Sequence, residues 1–171
     1  HEALLDSSTS RGLGDVYKRQ NLRDLQNNEN LTILINAIDK NIKELDIHIP
    51  IFLKISPDET NTTINNIISH VDNSSFSGII ATNTTIDKSM ILNEGIKLIE
   101  GGLSGEPLMN KSTNCLSYIR SKSKDMHLIG VGGVLSKEDF NDKIDAGASL
   151  VQIYTGFIIK GPNLIKDILG K

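Results

Sequence analysis

From Asn21 onward the chain alternates two kinds of apolar pattern. Leu31, Leu34, Ile35, Ile38, Ile42 and Leu45 recur at helical spacing and predict an amphipathic helix of three or more turns. Pro50 then opens a short apolar run, Ile51 to Ile55, interrupted only by Lys54 and stopped by Ser56-Pro57-Asp58, which offers the following helix an N-cap. Ile64, Ile67, Ile68 and Val71 mark the buried face of that helix. Three further apolar runs, Gly78 to Ala81, Leu128 to Val131 and Leu150 to Tyr154, predict strands. Between the last two, Ser136 is placed to cap a helix carrying Phe140 and Ile144, and a final helix is expected near Leu164 to Leu169.

Strands that are apolar throughout, instead of alternating, are covered on both faces, as in parallel sheets of βαβ proteins. The expected class is therefore α/β. Strand starts lie about 25 residues apart, except across one long connection between Thr82 and Thr113, which suits the units of a (β/α)8 TIM barrel. Such a barrel takes about 250 residues, whereas residues 21–171 carry four strands. The expectation is the C-terminal half of a barrel, about four βα units. Residues 1–20 have neither periodicity nor the apolar core of a secretory signal, and Ser10 to Gln20 resembles translated sequencing-adapter sequence. That segment is expected to be non-native or disordered, which leaves 21–171 as the domain.

Charge and composition narrow the chemistry. Eighteen Lys and Arg against 21 Asp and Glu give a net charge of -3, with no basic field for nucleic acid. The one cysteine, Cys115, allows neither an internal disulfide nor a Cys-based metal site, and no metal is expected. It is read as a small buried residue on a helix after Ser112. No apolar run approaches the length of a membrane span, so membrane contact is expected only through a region missing from this chain.

In a parallel barrel the site forms at the carboxyl ends of the strands. Here those ends read Lys54-Ile55-Ser56-Pro57-Asp58, Thr82-Asn83-Thr84-Thr85, Gly130-Val131-Gly132-Gly133 and Tyr154-Thr155-Gly156, with Gly101-Gly102-Leu103-Ser104-Gly105 in the long connection. Gly132 and Gly133, between a strand and the helix beginning near Ser136, can bring amides and a helix dipole to an anion, with Thr155 beside them. This reads as a phosphate site, against a plain tight turn. Lys54 suits a cation facing a cofactor that gains negative charge, against a lysine paired inside the barrel. Asn83 and Thr84 supply an amide and a hydroxyl for a heterocycle with carbonyl and N–H groups. His48, His70 and His127 share no spacing and are read as structural.

Five motifs in order, Leu53-Lys54-Ile55-Ser56-Pro57-Asp58, Ala81-Thr82-Asn83-Thr84-Thr85, Gly101 to Leu108, Ile129 to Gly133 and Ala146 to Gly156, resemble dihydroorotate dehydrogenase. Asn-Thr-Thr followed by Gly-Gly-Leu-Ser-Gly, and the ending Gly-Phe-Ile-Ile-Lys-Gly-Pro, are most similar to the class 2, quinone-dependent form. Asn21 to Gln26 resembles the tail of the family's Ser-Pro-Asn-Thr-x-x-Leu-Arg segment. The resemblance implies FMN-dependent oxidation of dihydroorotate to orotate in pyrimidine (UMP) synthesis, a membrane quinone as acceptor, and a peripheral place on the inner, cytoplasmic membrane. By motif it implies that Lys54 and Thr82 contact FMN, that Gly105, Gly133, Tyr154 and Thr155 bind FMN, and that Asn83 and Thr84 hold orotate. The family's catalytic serine precedes the Leu-Arg-x-Leu-Gln stretch, where this chain has Val16-Tyr17-Lys18-Arg19-Gln20, so no base is assigned and the chain alone is expected to be inactive. Two readings compete: a class 1 or other FMN barrel acting on a pyrimidine with fumarate or NAD as acceptor, and a non-catalytic phosphate-binding fragment.

Overall fold

A computed structural model of the chain describes residues 28–46, 48–91, 95 and 100–171. The expectations for residues 1–20 and for Asn21 to Gln26 lie outside the described residues. Helix α1, Asn28–Glu44, buries Leu31 and Ile35, while Leu45 falls past its end and is exposed. Then come β1 (Phe52–Ile55), α2 (Asn61–Asp72), β2 (Gly78–Ala81), a 3-10 turn (Glu106–Leu108) and α3 (Met109–Lys122). The order continues β3 (His127–Val131), α4 (Lys137–Asp145), β4 (Leu150–Gln152), α5 (Thr155–Lys160) and α6 (Pro162–Leu169).

Three expectations shift. The cap of α2 is Thr60, whose hydroxyl accepts from Thr63 N–H at 3.1 Å. Ser56 instead closes a local turn by accepting from Asp58 N–H at 3.1 Å, which leaves the Asp58 carboxylate free to reach another loop. Strand β4 stops at Gln152, because Tyr154 already heads the short helix α5, an element the apolar pattern did not separate from its neighbours.

The four strands form a parallel sheet in the order β1-β2-β3-β4, and each crossover carries a helix. This is an α/β sheet of partial-barrel type. Register and the two-residue side-chain period sort the strands into faces. Leu53, Ile79 and Leu128 stand in one row. Ile55, Ala81, Gly130 and Val151 stand in another on the same face. These rows pack against Leu31 and Ile35 of α1, Ile64, Ile67 and Ile68 of α2, and Leu116 and Ile119 of α3. A smaller cluster joins Val134 to Leu164 and Ile168 of α6, with Phe140 against it.

The opposite face carries the row Lys54, Ile80, Ile129 and Leu150, which belongs to neither cluster. Leu150 is 63% exposed and Lys54 is exposed. At the middle of this row Ile129 is buried and Ile80 half-buried, so covering on both faces, expected from the apolar runs, is complete only on the helix side within this chain. The residues of the bare face keep the composition of an interior.

Candidate functional site

The backbone ladder continues past the end of β2. Thr82 N–H donates to the Val131 carbonyl at 3.0 Å and Asn83 N–H to the Ile55 carbonyl at 2.7 Å, so this segment is tied to both neighbouring strands. Thr82 is buried and its hydroxyl donates to the Asn83 carbonyl at 2.9 Å. Asn83 is exposed, and its side-chain oxygen accepts from Thr84 N–H at 2.9 Å. Thr85 and Leu103 then exchange two backbone hydrogen bonds, 3.1 and 2.7 Å, which clamp the Gly101 to Gly105 loop onto the strand end. At Gly102 a Cβ would lie 2.0 Å from Thr84 Oγ1, so the loop lies flat on the threonine.

A charged knot braces the same loops from outside. Lys111 Nζ stands 2.6 Å from Asp58 Oδ1, 3.2 Å from Thr85 Oγ1 and 3.4 Å from Asp87 Oδ2. Asp58 also accepts from the Thr85 hydroxyl and from Ile86 N–H, the latter at 2.8 Å. Burial pushes the Asp58 carboxyl up, but the bonds from Lys111, Thr85 and Ile86 outweigh it and leave its pKa below the ordinary value. The knot joins the ends of β1 and β2 to the first turn of α3. No local pattern signals it, because Asp58 and Lys111 lie 53 residues apart and Lys111 belongs to no motif.

On the other side three glycine-containing loops meet. The Thr155 hydroxyl donates to Ser104 Oγ at 3.1 Å, and a Cβ at Gly105, whose φ is +79°, would stand 3.2 Å from Thr155 Cγ2. Gly133, with φ +80°, approaches Met109 so closely that a Cβ would sit 2.4 Å from the Met109 Cβ. Gly156 rests on the Val134 carbonyl, 2.1 Å from where its Cβ would be. The loops after β2, β3 and β4 therefore form one floor at the carboxyl end of the sheet.

The structure redistributes the anion-attracting parts of this floor. The N-terminus of α4 is already capped, since Ser136 Oγ accepts from Asp139 N–H at 3.1 Å and Asp139 Oδ2 from Leu135 N–H at 2.9 Å. Glu138 and Asp139 add negative charge to that first turn, so its dipole is not available as expected. Helix α5, by contrast, starts at Thr155 without a side-chain cap. Its first amides lie beside Ser104 and Gly105, an arrangement that matches barrel phosphate sites built from the last loops and a short extra helix.

Among the expected site residues, the floor unites Gly105, Gly133 and Thr155. Thr82, Asn83 and Thr84 stand together at the end of β2. Lys54 lies one strand away on the bare face, in register with Ile80; partial desolvation lowers its pKa although the side chain is exposed. Tyr154 is 70% exposed and only its backbone joins the floor, as N-cap of α5.

The other candidates stand apart. His70 Nε2 lies 3.3 Å from Thr32 Oγ1, and His48 and His127 are exposed away from the strand carboxyl ends. Burial pushes the Cys115 thiol up to about 11, which leaves it protonated and unreactive at neutral pH. Among the described residues no group of three His, Cys, Asp or Glu could hold a metal ion. A groove of about 620 Å³ lined by Ile42, His48, Pro50 and Ser75 is open to solvent and remote from the glycine floor. Lys143 and Ser112, at the back of the floor, were missed altogether. The available signal was a lysine in the helical stripe Phe140, Lys143, Ile144.

Comparison with known proteins agrees with this fold. The family model described as dihydroorotate dehydrogenase matches residues 18–171. A dihydroorotate dehydrogenase (quinone) of Christiangramia forsetii is 47% identical over 149 residues, covering 86% of this chain and 44% of that protein. One of Dichelobacter nodosus is 42% identical over 152 residues, covering 86% and 45%. The crystal structure of DHODH from Eimeria tenella in complex with ferulenol superposes with a TM-score of 0.80 at 30% identity, over 86% of this chain and 44% of that one. The chain thus spans under half the length of the relatives it matches. On the extent of the family match, its ordered motifs and its strand-end geometry, the chain belongs to the dihydroorotate dehydrogenase family.

Proposed function

We propose that this chain is the C-terminal half of a dihydroorotate dehydrogenase barrel and that the whole protein oxidises dihydroorotate to orotate, with FMN as its bound electron carrier and a membrane quinone as acceptor. The observation that carries this reading is the convergence of the Gly105, Gly133 and Thr155 loops at the strand ends, beside an uncapped helix start. Backbone amides and the hydroxyls of Ser104 and Thr155 suit the phosphate of FMN, because they can donate hydrogen bonds to an anion. When bound, FMN supplies a ring that accepts a hydride.

The chain's own residues divide the remaining tasks. Lys54 presents a cation on the bare face, where negative charge develops during the reaction. Thr82, fixed between two strands, packs against the cofactor. Asn83 and Thr84 hold the carbonyl and N–H groups of the pyrimidine, and the Asp58–Lys111 knot keeps their loop in place. Proton removal from the substrate falls to a serine outside the described residues, as the family resemblance implies. The relatives' name favours quinone over fumarate or NAD. Use of a membrane quinone places the protein peripherally at the inner membrane through a region beyond this chain, and among the described residues no helix is long and apolar enough to cross a membrane.

The test uses the full-length protein, purified with its flavin content measured, then given dihydroorotate and a quinone analogue, fumarate or NAD in parallel. The expected result is bound FMN and turnover with the quinone. Turnover with fumarate or NAD alone would move the reading to class 1, and a flavin-free protein without turnover would overturn it.

A further inference from the structure

Lys143 lies in α4 with its side chain wholly buried. Its stem packs on β3 where Gly130 has no side chain, 3.3 Å from the position a Gly130 Cβ would take. The ammonium donates to Ser112 Oγ at 2.5 Å, to Thr113 Oγ1 at 2.7 Å and to the Met109 carbonyl at 3.4 Å, using all three protons. Among the described residues it forms no ion pair, although Asp139 and Asp142 lie within its field. A buried cation held only by neutral groups costs stability, so an aliphatic residue in this stripe would serve the core better.

The position of the ammonium shows what it does. Because Lys143 occupies an acceptor site on Ser112 Oγ, the single hydroxyl proton must be donated onward to a carbonyl, and the Met109 and Gly132 carbonyls each stand 3.1 Å away. The Met109 oxygen already accepts from the Thr113 hydroxyl at 2.8 Å and from Lys143, which leaves Gly132 as the acceptor that Ser112 serves. The peptide joining Gly132 to Gly133 is trans, so its carbonyl and N–H point in opposite directions. With the Gly132 oxygen drawn toward the helix layer, the Gly133 N–H is turned away from it, and it bonds to no described residue. The same ammonium reaches the Met109 carbonyl, and Met109 is the residue on which Gly133 rests.

We propose that Lys143 is a positioning residue for the anion-binding floor, acting through Ser112 to fix the Gly132 carbonyl and hence the direction in which the Gly133 amide donates. The inference rests on the reading that this floor takes the phosphate of FMN. It identifies a lysine that touches neither cofactor nor substrate but determines how well phosphate is held.

Riboflavin, which shares the ring but lacks the phosphate, gives a readout that general damage to the fold would not produce. In the full-length protein stripped of flavin, the dissociation constants of FMN and riboflavin are measured for the parent, Lys143→Met and Ser112→Ala. The expected result is a loss of about tenfold in the preference for FMN, the size of one hydrogen bond to a charged group, with riboflavin affinity within about twofold of the parent. Ser112→Ala removes only the relay hydroxyl, and it decides the question by itself if Lys143→Met does not fold. An unchanged FMN preference in the variants, or an equal loss of both ligands, overturns the inference while leaving the proposed function standing. A parent with no preference for FMN overturns the phosphate reading and this inference with it.

Discussion

The two faces of the sheet are made of the same strands, yet they differ as a core differs from a surface. On the helix side Ile55, Ile79 and Leu128 are fully buried. On the other side the row from Lys54 to Leu150 has the apolar residues of an interior but ends in two exposed side chains. Helices complete one face within this chain, whereas the other has the form of a barrel lining that further strands would close. The lysine that interrupts β1 stands on that second face, so the unfinished face is also the one on which the proposed chemistry takes place.

The largest expected effect comes from leaving the second face open. The chain by itself, supplied with FMN, dihydroorotate and a quinone analogue, should show no turnover above the flavin-only background and should self-associate in light scattering through its bare face and strand edges. Turnover by the chain alone would refute the half-barrel reading. Next, Lys54→Ala in the full-length protein should slow flavin reduction by dihydroorotate about 100-fold to 1000-fold, the usual loss when a group stabilising developing charge is removed. Stopped-flow reduction at the parent rate would remove Lys54 from that role.

A third expectation compares the faces directly. Ile79→Ala should cost about 2–5 kcal/mol wherever the domain is folded, as for other buried large-to-small changes. Leu150→Ala should cost under about 0.5 kcal/mol in this chain but rise toward the Ile79 value in the full-length protein. Paired denaturant titrations would show the difference, and equal small costs for Leu150 in both settings would mean that its face stays open.

A fourth expectation is a pH dependence. Burial lowers the Lys143 pKa to about 8 from 10.5, so between those values the unfolded chain holds a proton that the folded chain has released, and stability rises with pH across that window. Lys143→Met lacks this titration. Stability of the parent relative to Lys143→Met should therefore increase from about pH 8 to about 10.5, and a flat difference would show that the ammonium is not desolvated.

How far the sequence could be read follows from the range of each interaction. Strands β1 to β3, the buried stripe of α2 and the Ser136 cap depend on neighbouring residues, and they stand where periodicity and capping predict them, whereas the α2 cap moves to Thr60 and β4 stops two residues early. The parts that were not legible depend on contacts between distant segments. Local sequence puts Asp58 in a helix cap, whereas its partner Lys111 lies 53 residues further on. The Gly132-Gly133 amides were assigned the dipole of α4, although Asp139 of that helix already occupies its own N-terminus. Gly133 was read as space for a phosphate, whereas its nearest constraint is Met109. Gly133→Val would thus deform the floor before any ligand arrived. Exposure of the second face was hidden for a related reason, since an apolar run looks the same whether its cover lies in this chain or in another segment.

The central claim, that the bare face is the interior and working face of a closed barrel, can be tested by lysine acylation followed by mass spectrometry. Lys54 is exposed here, Lys40 has a side chain 72% exposed on α1, and Lys143 is fully buried. In this chain, held dilute enough to be monomeric by light scattering, Lys54 and Lys40 should both react while Lys143 does not. In the full-length protein loaded with FMN and orotate, Lys54 should become protected while Lys40 reacts as before. Equal labelling of Lys54 in both forms would contradict the claim, because it would leave that face open to solvent in the complete enzyme.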